Sequence, residues 1–358
     1  MSSAAGILSQ LDLGPAQQAE PFSLAAGHLR ITVLCPEPLR SDLMAYFAVA
    51  LSEGPGQITV HVIPDQQLAA PIDWSDWARE HGKSGRKDAI CDLSDGRLIQ
   101  KIRSGVTFLQ GPDLAVAFGP VAENQSTVIN FINTQILNAC LREGWQLCHS
   151  AAITKAGRGL AISGLSGGGK STSVLRLMDI PGTAFVSNDR VLVQGGQAPQ
   201  ALGIPKHPRI NPGTILGNPK LHTMLSAARR AELEAMPSPE LWQLEEKHDL
   251  MIDQIYGPGR IQLQAPLTDI WVLNWQHGAS EPTQLTQVDI GTRPDLLGAI
   301  MKSPGPFYQH PSGAFEPNGA TSDPAPYLSA FAGLTVCEIS GRVDFDAIYE
   351  FGLTLFND

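Results

Sequence analysis

The sequence predicts an α/β chain in two parts: an N-terminal α+β accessory domain and a C-terminal domain built round a phosphate-binding loop. Three observations carry this. The run Gly164-Leu165-Ser166-Gly167-Gly168-Gly169-Lys170-Ser171 fits G-x-x-x-x-G-K-[ST] without a mismatch. An apolar strand-like stretch precedes it and an apolar helix-like stretch (Val174, Leu175, Leu177, Met178) follows. Near residue 125 the hydrophobic pattern changes, from paired strands to one long amphipathic segment. The expected organisation is a flexible tail over 1–20, an accessory domain over 21–124, and the loop-bearing domain over 125–358.

The elements follow in order. Residues 29–35, LRITVLC, read as a buried strand, and the helical spacing of SDLMAYFAVALSE after it is capped by Ser41. GQITVHVIPD is a second strand, closed by Pro64. The polar stretch 73–97 has Trp74 and Trp77 as anchors. GVTFLQG and DLAVAFGP form a hairpin, with Gly111-Pro112-Asp113 as its turn. From Ser126, Val128, Phe131, Ile132, Ile136, Leu137 and Leu141 recur at helical spacing until Gly144. QLCHSAAITKAGRGLAISG is a hairpin turning at Lys155 to Gly159 and leading into the loop. TAFVSNDRVLV is strand, polar break, strand. GIPKHPRINPGTILGNPK is a Pro- and Gly-dense loop. LHTMLSAARRAELEAM is helical, LTDIWVLNW a strand, DLLGAIMKS a helix, TVCEIS a strand and DFDAIYEFGLTLF an amphipathic helix.

Composition narrows the function classes. A net charge of −10 disfavours duplex nucleic acid or an anionic membrane as the main partner, since both reward clustered Lys and Arg. Five scattered cysteines without a CxxC pair suit a reducing compartment. The spacing of Cys140 and Cys148 matches no zinc pattern. The first 20 residues lack a basic, then apolar, leader pattern, and no apolar run reaches the ~18–20 residues of a membrane span. A cytoplasmic protein is expected.

The loop has a physical rationale. Its glycines let successive N–H groups turn towards phosphate oxygens, and the helix beginning at Lys170 directs its positive end at the same anion. The residues from Gly164 to Thr172 are therefore the expected nucleotide-binding set: Gly164, Leu165, Ser166, Gly167, Gly168, Gly169, Lys170, Ser171 and Thr172. Lys170 is expected to reach the β- and γ-phosphates of ATP, and Ser171 to hold Mg²⁺. In such sites an acid at a neighbouring strand end shares the metal. Asp189, 19 residues beyond Lys170, is the candidate, alongside the plainer reading of Asn188-Asp189 as a strand break. Further cations suited to the γ-phosphate are Arg190, Lys206, His207, Arg209 and Arg260. Arg209 leads, because Pro205, Pro208 and Pro212 stiffen its loop. Glu245 and Glu246 are further candidates near a metal.

His149, the loop at 164–171 and Ser187-Asn188-Asp189-Arg190 together resemble the HPr kinase/phosphorylase-like superfamily. GIPKHPRINPGT and IYGPGR resemble its HPr kinase-related kinase B subgroup. The likeness covers roughly residues 125 to 350. It implies a C-terminal P-loop kinase domain of the HPr kinase / phosphoenolpyruvate carboxykinase type. It also implies phosphate transfer from ATP, or in some members pyrophosphate, to a serine of a carrier protein. Other relatives of that fold phosphorylate small molecules. It implies a bacterial source, an acceptor encoded in the same gene cluster, and members that assemble as homo-oligomers. The family usually has Asp-Asp where this chain has Asn188-Asp189, and an amide does not accept a proton at neutral pH. Three routes stay open: His149 as base, a loose transition state that needs none, or a nucleotide-binding regulatory module without transfer. His149 also has a purely structural reading. No guanine-reading N/T-K-x-D segment is present, which disfavours a GTPase.

Overall fold

A computed structural model describes residues 3–79, 84–165 and 168–357, with only the backbone at Trp242 and Gln243. The chain divides into two compact units, residues 1–144 with 303–322, and residues 145–302 with 323–358.

The first unit is organised by one mixed sheet. Its strand order is Leu51–Ser52, Phe22–Ala26, Leu29–Leu34, Ile58–Pro64, Ala115–Gly119, Thr107–Gln110, Arg97–Lys101, Asp88–Asp92, Ser75–Asp76. Leu29–Leu34, Ile58–Pro64 and Ala115–Gly119 run parallel, and the other pairings are antiparallel. The helix Leu39–Tyr46 makes the crossover a parallel pair requires. The hairpin read around Gly111-Pro112-Asp113 is present, with Gly111 N–H donating to Leu114 O at 2.8 Å. Leu29, Ile31 and Val33 are buried and the residues between them less so, as a period of two demands.

Three expectations about this unit change. The first 20 residues are not a free tail. Residues Ala4–Leu8 and Gly14–Gln17 are helical, with Ile7, Leu11 and Ala16 buried, and Ala4 N–H donates to Asp95 Oδ1 at 2.6 Å. The helix Gln125–Arg142, read from its periodicity as the start of the second domain, belongs to the first unit. Its apolar stripe said that it must be buried, not against which sheet. The amides decide: Gln135 Nε2 donates to Gln110 Oε1 at 2.9 Å, and Asn138 Nδ2 to Phe307 O at 2.9 Å. Residues 303–322 also return to this unit. Phe307 packs on Phe108 and Phe131, with ring centroids 5.3 and 5.7 Å away.

The second unit holds two principal sheets. The six-stranded one has the order Ala184–Ser187, Ser150–Lys155, Arg158–Gly164, Asp269–Leu273, Thr335–Ser340, Gln284–Gln287. Its three central strands from Arg158–Gly164 to Thr335–Ser340 are parallel and its outer pairings antiparallel. Alternate residues face opposite cores. Ile153, Leu160, Ile162 and Trp271 pack with the helices Lys170–Leu177 and Phe345–Asn357. Ala152, Ala161, Ile270 and Val272 pack with Pro294–Ile300 and Pro324–Phe331. The four-stranded antiparallel sheet orders Gln146–Cys148, Val191–Gln194, Gln200–Gly203, Gln264–Pro266. Inside the Pro-dense loop, Arg209–Ile210 pairs with His248–Asp249, and Pro212–Leu216 is helical. The helical segment from Leu221 is broken: Ser226 Oγ accepts from Arg229 N–H at 3.2 Å and starts a new helix, Ala227–Glu234. Among the described residues no helix is long and apolar enough to cross a membrane.

Candidate active site

The topology creates two corners that lie side by side. Gln146–Cys148 belongs to the four-stranded sheet and Ser150–Lys155 to the six-stranded one, so the chain changes sheets at His149. Ala184–Ser187 and Val191–Gln194 do the same across Asn188-Asp189-Arg190. The strands before and after each corner pair, Cys148 with Val191 and Ala152 with Ser187. The corner side chains therefore meet: His149 Nε2 lies 3.3 Å from Asp189 Oδ1. A third segment joins them. His149 N–H donates to Ile300 O at 2.7 Å, and Lys302 Nζ reaches Asp189 Oδ1 at 3.7 Å. Arg190 Nε stands 3.9 Å from the other carboxylate oxygen. Asp189 takes φ +69°, a left-handed conformation that few non-glycine residues hold, and one found at functional turns.

The electrostatics follow from this crowding. Burial pushes the Asp189 carboxyl up, but the His149 hydrogen bond and the charges of Lys302 and Arg190 outweigh it and hold it well below the usual carboxylate range. The hydrogen bond to Asp189 raises the His149 imidazole, while burial, Lys170 and Lys302 lower it further, leaving it below its ordinary value of 6.5. At neutral pH the pair is an ionised carboxylate beside a neutral imidazole.

The glycine-rich loop leads from the strand Arg158–Gly164 to the helix Lys170–Leu177. Ser166 and Gly167 of the expected set lie outside the described residues. Gly169 is the N-cap with φ +93° and supplies no side-chain cap to the first-turn N–H groups. A Cβ on Gly169 would sit 3.1 Å from the Phe345 ring and 3.2 Å from Trp275. Trp275 Nε1 donates to Gly168 O at 2.9 Å and buttresses the turn. Lys170 is buried and folds back, Nζ donating to Gly164 O at 2.9 Å and Leu165 O at 3.1 Å. Thr172 is engaged elsewhere, its hydroxyl 2.8 Å from that of Thr214. Leu165 is exposed.

One assignment shifts by a residue. The side chain that meets the Ser171 hydroxyl is Asn188, with Ser171 Oγ donating to Asn188 Oδ1 at 2.9 Å. Asp189, expected beside Ser171 at the metal, faces His149, Lys302 and Arg190 instead. The left-handed turn at 189 separates the two neighbours. Among the described residues no three His, Cys, Asp or Glu side chains group as a metal site. Glu246 is held by Arg229 and His248, and Glu245 by Lys247. Burial raises the Cys140 thiol to about 12 and raises that of Cys148 as well, as for inert core thiols.

The other expected cations divide. Arg260 is structural, its guanidinium donating to the carbonyls of Thr183, Met178 and Tyr256. Arg209 is exposed and pairs with Asp249 at 3.1 Å. His207 is buried. Lys206 lies in the field of Arg190, Asp189, Arg209 and Asp249. Lys302 was not singled out in the sequence. Its place beside Asp189 depends on Met301 bridging Cys148, a contact across some 150 residues that no local pattern announces.

No family model matches the chain, and no curated protein matches it in sequence. Among solved structures it is similar to the HPr(Ser) kinase/phosphatase from Coxiella burnetii, at 11% identity and a TM-score of 0.30, over 59% of this chain and 89% of that one. That likeness is too slight to assign a fold. The coordinates themselves give a mixed α/β chain of several sheets, with a glycine-rich strand–loop–helix turn beside a carboxylate–imidazole pair.

Proposed function

We propose that this chain is an ATP-dependent, Mg²⁺-dependent phosphotransferase of the HPr kinase-like type, acting on a hydroxyl of a protein serine or a small molecule. One observation carries the reading: Asn188 meets the loop hydroxyl of Ser171 while the next residue, Asp189, meets His149. Neighbouring residues of one turn thereby touch both the glycine-rich loop and the imidazole, which supports pairing a phosphate site with a proton acceptor. The residues suit a triphosphate, because an uncapped helix start and a buried lysine converge on the loop. The Ser171 hydroxyl and the Asn188 amide oxygen are neutral oxygen donors of the kind that would hold Mg²⁺, which keeps its waters and phosphate oxygens and would supply charge to offset the β- and γ-phosphates. Lys170 would leave its loop carbonyls for the phosphates. The acceptor oxygen attacks the γ-phosphorus, the bond from that phosphorus to the ADP oxygen breaks, and the hydroxyl proton passes to His149. Asp189 orients the imidazole and stabilises its charged form.

Purified protein incubated with ATP, Mg²⁺, the products of its own gene cluster and a metabolite panel tests this, with mass spectrometry of the products. Transfer should occur, fall ~10³-fold or more in Lys170→Ala, and fall ~10²–10⁴-fold in His149→Gln. A second reading is a nucleotide-binding regulatory module, favoured by the amide rather than a carboxylate beside Ser171. Tight nucleotide binding with no Lys170-dependent transfer would establish that reading instead. Asn188→Asp separates them further: a working kinase should need less Mg²⁺ for half-maximal rate, and a module should gain no turnover.

A further inference from the structure

One face of the first unit's sheet turns from apolar to polar within a single step along its strands. Leu98, Leu109 and Val116 are cross-strand neighbours on that face and fully buried. Two residues along each strand, the neighbours are Gln100, Thr107 and Phe118. An amide and a hydroxyl thus stand where an apolar core would continue. They satisfy each other poorly. Gln100 Nε2 reaches Thr107 Oγ1 only at 3.5 Å, and that hydroxyl reaches Gly105 O only at 3.5 Å, the weak limit of a hydrogen bond. Thr107 is 7% exposed, so bulk water makes up little of the deficit. Gln100, Thr107 and Phe118 line a cleft of about 300 Å³, together with Gln67 and Trp74. Among the described residues no charged side chain lines it.

The topology explains its place. Ile58–Pro64 and Ala115–Gly119 are parallel neighbours, and the cleft lies beyond their carboxyl ends, against Gln66, Gln67, Gly119 and Pro120. The chain leaves Pro64 over the Phe118 face, where Leu68, Ile72 and Trp74 pack. It leaves Gly119 for the helix Gln125–Arg142 on the opposite face, where Phe131 meets Phe108 at 4.5 Å. Parallel strands whose connections part to opposite faces open a crevice, and such crevices are the usual ligand sites of α/β sheets. We propose that this cleft binds a small uncharged sugar. An ion would enter without a counter-charge, and a hydrocarbon would strand the amide and the hydroxyl. Polar groups from two strands and the segment after Pro64 suit hydroxyls spread round a ring, and the Trp74 indole suits its C–H face. Every residue of the site belongs to the first unit, so the proposal is independent of the phosphotransferase reading.

Saturation-transfer NMR titrations of the full chain with D-glucose, D-galactose, D-mannose and D-ribose test this, with D-gluconate as the charged control and cyclohexanol as the apolar one. At least one sugar should bind and neither control should. Gln100→Leu combined with Thr107→Val should weaken that binding ~10-fold or more, while the protein unfolds no earlier than wild type, because the polar groups replaced hold only long bonds. Trp74→Ala should weaken it ~10-fold, and Trp74→Phe, which keeps an aromatic face, should restore most of it. If the double variant unfolds early, the two Trp74 variants decide alone. Failure of all four sugars to bind overturns the proposal. So does binding indifferent to these substitutions, which puts the sugar elsewhere on the chain, and so does equal binding of gluconate or cyclohexanol.

Discussion

On the proposed mechanism, His149 is the group whose protonation should shape the rate. The imidazole must be neutral to take a proton. Its hydrogen bond to Asp189 favours the charged form, while burial and the charges of Lys170 and Lys302 disfavour it, and the net effect sets its pKa below 6.5. The rate constant kcat/KM should therefore rise with pH through a limb lying below 6.5, and His149→Gln should remove that limb. A pH profile of wild type and variant checks this, and an acid limb unchanged in His149→Gln would remove His149 from proton transfer. At this scale the sequence located the turn between the strand ending at Gly164 and the helix starting at Lys170, because its glycines and flanking apolar runs are local signals. It could not distinguish Asn188 from Asp189 as the neighbour of Ser171. Adjacent side chains on a turn point apart, and because Asn and Asp are both enriched at left-handed φ, the pair does not say which of the two takes it.

At the scale of elements, the site is a consequence of two strands changing sheets at the same level. Most elements were legible, because periods of two and 3.6 and the turn residues are local: the hairpin into the loop, the strand–break–strand of 184–194 and the closing helix all stand where the pattern placed them. Sheet membership was not, since a buried strand has the same alternation whichever neighbours it pairs with. The loop helix Lys170–Leu177 is set by the closing helix Phe345–Asn357, whose Phe345 also packs on Trp275 at 5.2 Å. The contact depends on Gly352, where an added Cβ would come within 2.2 Å of Leu177 Cδ2 and 3.1 Å of Ile180 Cδ1. Gly352→Ala gains helix propensity but must displace Leu177, so a net loss of about 1–2 kcal/mol is expected. On the proposed function it should also weaken nucleotide affinity, because the loop helix starts at the proposed phosphate site. Denaturant unfolding and nucleotide titration of the same variant check both, and a more stable variant would show that Leu177 moves aside at no cost.

At the scale of the whole chain, the order of residues is not the order of units. The chain leaves the first unit at 144, returns to it for residues 303–322, and leaves again. A reading by sequence position gives a single boundary, here set near 125, and cannot see a return. One side chain, Arg97, makes several of the contacts that hold the return. Arg97 is 4% exposed, pairs with Asp92 at 2.5 Å, and donates to Pro306 O at 3.1 Å and Glu316 O at 3.0 Å. Its guanidinium also lies over Phe315 at 4.7 Å and Trp77 at 5.5 Å. Arg97→Ala would strip two carbonyls of their donor and empty the space between two rings, a loss of about 3 kcal/mol. For a unit of this size that is roughly 6–12 °C in the unfolding temperature. Arg97→Lys should rescue little, since one ammonium does not span the carboxylate and both carbonyls as the planar fork does. The damage should be confined to the first unit: nucleotide affinity, which the proposed function places at Lys170 and its helix in the second, should be kept. Calorimetric unfolding, limited proteolysis within 303–322 and nucleotide titration of both variants measure this. A stable Arg97→Ala protein with an uncut 303–322 segment would mean that the Phe307, Phe108 and Phe131 contacts hold the return without it.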